Sequence, residues 1–85
     1  MKPSIADIEA RLKVALPLAK FSIIDESHLH AGHEGARAGG GHFRVQIQDP
    51  SFAGLALVKR HRLVYDALRD WMPERIHALA IEAST

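Results

Sequence analysis

Cysteine is absent from the 85 residues. Its absence removes disulfides, thiolate nucleophiles and every thiolate metal site that the chain could build alone. An excess of charge of one sign is missing too: 11 Lys and Arg stand against 10 Asp and Glu, a net +1 with histidine neutral. Proteins that depend on nucleic acid for their role usually carry a marked basic excess, so such a role would here require a local basic face. No apolar run approaches the roughly 20 residues that cross a bilayer. Met1-Lys2-Pro3-Ser4 leads straight into an amphipathic segment, without the apolar stretch of a signal peptide. Cytoplasmic residence and no membrane partner are therefore expected. Aromatic residues are few, at 6%, yet hydrophobic residues reach 47% and charged ones 25%. That balance belongs to chains that fold, and the length suits one domain over residues 1–85. Histidine, by contrast, occurs six times. Any metal or acid–base chemistry must run through imidazole or carboxylate.

Ser4 followed by Asp7 resembles a capping box, and Ile5, Ile8, Leu12 and Ala15-Leu16 recur at helical spacing. The spacing predicts a helix over 4–16, stopped by Pro17. From Ala19 the period becomes two: Phe21 and Ile23 alternate with Lys20 and Ser22, predicting a strand to about Glu26. Phe43, Val45 and Ile47 against Arg44, Gln46 and Gln48 predict a second strand over 42–48, and Asp49-Pro50-Ser51 a turn. After Gly54, the residues Leu57, His61, Val64, Leu68 and Met72, widened by Tyr65 and Trp71, mark the buried stripe of a second helix that Pro73 closes. Arg75 to Ala83 reads as a last strand, with His77, Leu79 and Ile81 on one face and Ile76, Ala78 and Ala80 on the other. Small or apolar residues on both faces predict that this strand is buried. The order α-β-β-α-β implies an α/β (α+β) fold in which a hairpin is followed by a β-α-β unit. Its last two strands are then parallel, and two helices cover one face of a mixed three-stranded sheet.

The connection between the first two strands departs from this economy. Ser27 to Gly41 is fifteen residues long, whereas hairpin loops usually have about 2 to 5. Five of the six glycines lie in it, as do His28, His30 and His33, and His42 follows at its end. Imidazole binds borderline metals well, but the spacing is not that of a zinc finger or metalloprotease. A polar loop with incidental histidines remains the plainer alternative. Gly32-His33-Glu34-Gly35 has the letters of the backbone clamp of KH domains, but it joins two strands and carries a glutamate that would repel phosphate. It is read as coincidence. Lys59-Arg60-His61-Arg62 opens the second helix with cations that either form a solvated face or track a phosphate backbone. His61 is read as a core histidine and, on periodicity, His77 as a structural one. Asp25-Glu26 has no nucleophile at a recognisable spacing, so no catalytic constellation emerges.

Several segments together resemble the BolA family. They are Asp25-Glu26-Ser27 followed by His30, His42-Phe43-x-Val45, Phe52-x-Gly54, Arg60-His61-Arg62-x-x-Tyr65 and Ile76-His77-Ala78-Leu79. The resemblance covers about Ile5 to Ile81 and implies a class II KH-like fold, in agreement with the element order. It further implies a non-catalytic partner of a monothiol glutaredoxin that, with glutathione, co-ligates a 2Fe-2S cluster in iron–sulfur assembly, trafficking or iron-related regulation. His77 would be the ligand from the last strand. His30 matches the loop ligand position, with His33 as its rival. Imidazole in place of thiolate should raise the cluster's potential, and because the coordinating nitrogen must be unprotonated, assembly should weaken toward about pH 6. The chain without its partner is expected as a monomer or weak homodimer. Relatives are also linked to DNA binding and transcriptional control, which would use Phe52 through Arg62, with Lys59, Arg60 and Arg62 on the phosphates.

Overall fold

The computed structural model describes residues 1–30 and 40–85, with Leu29 and His30 by their backbone alone. Helix α1, Ile5–Ala15, begins where the sequence signals it. The Asp7 backbone N–H donates to Ser4 Oγ at 3.0 Å and the Ser4 N–H donates to Asp7 Oδ2 at 3.1 Å, which satisfies two of the donors a helix start leaves open. Ile8, Leu12 and Leu16 are buried, while Ile5 stays exposed. Strand β1, Lys20–Asp25, follows the Pro17 turn and leads into a 3-10 turn at Ser27–His30. Strand β2 is Gly41–Gln48. A second 3-10 turn, Pro50–Phe52, is capped by Asp49, whose Oδ1 accepts the Ser51 N–H at 2.8 Å. Helix α2, Leu57–Leu68, runs through a 3-10 turn at Arg69–Trp71 toward strand β3, Ile76–Ser84.

The sheet order is β1-β2-β3, with β1 antiparallel and β3 parallel to β2. The expected α-β-β-α-β order and mixed three-stranded sheet are therefore present. Alternation in β2 sends Phe43, Val45 and Ile47 into the core, while Gln46 and Gln48 stay exposed and Arg44 half-exposed. Ile8, Leu12 and Leu16 of the first helical segment and Val64 and Leu68 of α2 close over this apolar row, joined by Phe52, Ile76 and Leu79.

Four expectations are corrected. The last strand is not buried on both faces, because it forms an edge of the sheet and most of its residues are half-buried or exposed. Its alternation is also broken at the start: Ile76 and Leu79 are both in the core, three positions apart. The α2 stripe is displaced as well. Val64 and Leu68 are buried, but Leu57 is 61% exposed, and Phe52 from the preceding turn enters the core instead. Helical periodicity specifies spacing and leaves open which turn meets the sheet. His61 is half-buried rather than in the core. Tyr65, near the rim of α2, donates its hydroxyl to the Leu79 carbonyl at 3.2 Å.

Two glycines are needed for different reasons. A Cβ at Gly41 would overlap the Phe43 ring and lie 2.9 Å from Lys2 Cβ. Gly54 has open space around it but a φ of +77°, which disfavours any L side chain. Gly41→Ala should cost about 1–3 kcal/mol through overpacking and Gly54→Ala about 1–2 kcal/mol through backbone strain. Urea denaturation measures both, and wild-type stability for either variant contradicts its reason.

Candidate functional site

The parallel pairing of β2 with β3 is irregular at its beginning. Gly41 stands opposite Ile76, but His42 stands opposite Ala78, so His77 is an extra residue in the edge strand. A bulge of this kind changes which face the following residues take. Here it keeps both Ile76 and Leu79 in the core and leaves His77 exposed. Packing thus does not account for His77, contrary to its reading as a structural histidine from periodicity. Its ring lies beside that of His42, with centroids 5.2 Å apart and planes tilted by 49°. His42 itself is only 5% exposed.

The backbone on either side of the long loop is clamped at this end of the sheet. The Glu26 N–H donates to the His42 carbonyl at 2.7 Å, and the His42 N–H donates to Ser27 Oγ at 3.1 Å. The Ser27 N–H in turn donates to Asp25 Oδ1 at 2.9 Å, and Lys2 Nζ reaches Asp25 Oδ2 at 2.7 Å. On the β3 side the Gly41 N–H donates to the Arg75 carbonyl at 2.9 Å. The turn that holds the His30 backbone therefore starts at the end of the sheet where His77 sits. His33 lies outside the described residues. Among those described, no group of three or more His, Cys, Asp or Glu side chains is arranged to hold a metal ion.

The acidic pair Asp25-Glu26 is committed to structure. Partial burial works against the Asp25 charge, but hydrogen bonds from Lys2 and Ser27 outweigh it and hold the carboxyl down at about 2. Glu26 Oε2 accepts from Arg44 Nε at 3.1 Å, and Glu82 Oε2 takes the same guanidinium at 3.0 Å, so one arginine ties the loop root to the edge strand. The basic cluster is divided. Lys59 and Arg62 are exposed, whereas Arg60 donates to the carbonyls of Leu55 at 2.9 Å and Ala83 at 3.3 Å, which fastens α2 to the end of β3.

Sequence reasoning passed over His42 as a side chain that matters. Period-two alternation puts it opposite in phase to Phe43 and hence on the open side of the sheet. It is nevertheless buried, at the root of the loop and beside the bulge, neither of which alternation can register.

A sequence model of the family described as BolA-like protein matches residues 12–85. The chain belongs to this BolA-like family. It is 40% identical over 83 residues to SufE-like protein 1, chloroplastic/mitochondrial, of Arabidopsis thaliana, covering 92% of this chain and 22% of that protein. BolA-like protein 1 of Mus musculus is 39% identical over 83 residues, 98% of this chain and 58% of its own length. The chain thus spans only part of these BolA-like relatives. Among solved structures, the BolA domain of SufE1 from Arabidopsis thaliana superposes with a TM-score of 0.80 at 40% identity, covering 94% of this chain and 88% of that one. BolA1 from the same plant gives 0.78 at 35% identity, covering 100% and 94%.

The charge at the loop root has a measurable consequence. Because the Asp25 value is depressed when folded, its stabilisation is complete above the ordinary carboxylate value near ~3.9 and is lost as pH falls through about 2. Asp25→Asn should cost about 1 kcal/mol at neutral pH and flatten the fall of stability between about pH 4 and 2. Urea melts across an acid series would show an unchanged slope if Asp25 plays no such part.

Proposed function

We propose that this BolA-like chain is a non-catalytic binding module that joins a monothiol glutaredoxin and glutathione around a 2Fe-2S cluster, with His77 as its strand ligand and a loop histidine, His30 ahead of His33, as the second. The observation that carries the reading is the exposed imidazole of His77, lifted from the sheet edge by a bulge where packing gives no reason for a histidine. The donor chemistry fits. Without cysteine the chain offers imidazole nitrogens, and the described residues alone do not complete a metal site, so a partner would have to bring the thiolates. When bound, the cluster would supply iron–sulfur chemistry with one iron held by imidazole, at a higher potential than a cluster with thiolates alone.

This chain's own contribution is geometric. The clamp of Asp25, Ser27 and Glu26 on the His42 backbone brings the beginning of the loop to the His77 end of the sheet. The near-balance of charge favours a protein partner over DNA. A nucleic-acid role would have Lys59 and Arg62 available on α2, with Arg60 already engaged by main-chain carbonyls.

Mixing the protein with cluster-loaded glutaredoxin should change the visible absorption and circular dichroism of the cluster. His77→Ala should abolish the new dichroic bands while leaving the protein folded. If the mixture with His77→Ala gives the wild-type spectrum, the ligand assignment is wrong.

A further inference from the structure

We propose that His42 is a positioning residue for His77: the buried imidazole of the central strand holds the exposed imidazole of the edge strand in one orientation before any metal arrives. The use of that orientation rests on the reading of His77 as a ligand. The positioning itself stands on the geometry of this chain alone.

Four observations converge on the pair. First, the register shift lies at Gly41 and His42, so the strand that bulges does so directly beside the residue in question. Second, the two rings are 5.2 Å apart, within the range of direct contact between aromatic rings, and their 49° tilt lets one ring edge rest against the face of the other. Third, His42 is buried, at 5% exposed, and its backbone is held on both sides, by Ser27 Oγ on its N–H and by the Glu26 N–H on its carbonyl. Fourth, the preceding Gly41 is packed so closely against Phe43 and Lys2 that the backbone entering His42 has little room to shift.

One partner is therefore rigid, and the other, an exposed side chain on an edge strand, would otherwise sample several rotamers. Contact with a fixed ring removes part of that freedom in advance. A ligand ordered beforehand loses less entropy when it binds. Releasing it should weaken cluster retention by about three- to ten-fold, the range expected for freeing one side chain. Alternation alone would put this residue on the open side of the sheet, whereas a buried planar ring gives the imidazole of His77 a surface to rest against.

The test has two arms. In the protein alone, NMR relaxation of isotope-labelled histidine rings should find His77 markedly more ordered than His28, which is likewise exposed. His42→Leu, which fills the space without a ring, should lower the order of His77, and His42→Phe should preserve it. In the second arm, each variant is combined with cluster-loaded glutaredoxin and the cluster is drawn off by a chelator. Loss should be about three- to ten-fold faster for His42→Leu and close to wild type for His42→Phe. Equal mobility of His77 and His28 in the wild-type protein overturns the proposal, whether or not the variants fold. So does an unchanged His77 ring in a folded His42→Leu, or a His42→Phe that behaves like His42→Leu. Failure of the wild-type protein to accept the cluster from glutaredoxin would remove the ligand reading and leave the first arm to decide the positioning.

Discussion

Strand β2 is the constraint on which the other elements depend. Among the described residues it alone pairs on both sides, antiparallel with β1 and parallel with β3, and it supplies the apolar row Phe43, Val45 and Ile47 that both helices cover. An antiparallel neighbour can return through a simple loop, but a parallel one needs the chain carried back to the starting end, which α2 does. Each pairing also brings a chain segment to the same end of the sheet. The long loop leaves β1 there, and β3 begins there with the bulge at His77. The site is thus a by-product of the topology, set where one strand ends and two begin.

Most of the polar contacts strengthen this arrangement rather than perform chemistry. Lys2, Asp25, Ser27 and the His42 backbone form a chain of hydrogen bonds across the loop root, and Arg44 joins Glu26 to Glu82. Arg60 anchors α2 to the end of β3 through two carbonyls. Exposed ion pairs contribute little individually, but those that also bond main-chain groups fix where strands start and stop. The described surface open to a partner includes the imidazole on the bulge and the exposed Leu57, Val58, Lys59 and Arg62 of α2. A chain with no thiol can offer a metal no thiolate and must rely on donors such as imidazole.

The amino-acid sequence by itself determined the elements and their order. A capping box, a proline stop and two clear periodicities are local signals, since each depends on residues a few positions apart, and α1, β1, β2 and β3 lie within a residue or two of where those signals put them. Family membership was equally legible, because it rests on short motifs in a fixed order. The candidate ligand His77 could be named from its motif, but not its exposure. Only the tertiary structure decided that β3 is an edge, that its alternation slips at His77, that Leu57 stays outside while Phe52 goes in, and that His42 is buried beside His77. The reason is physical: register between strands and the seating of a helix on a sheet are settled by contacts between residues far apart in the chain, and no local period carries that information.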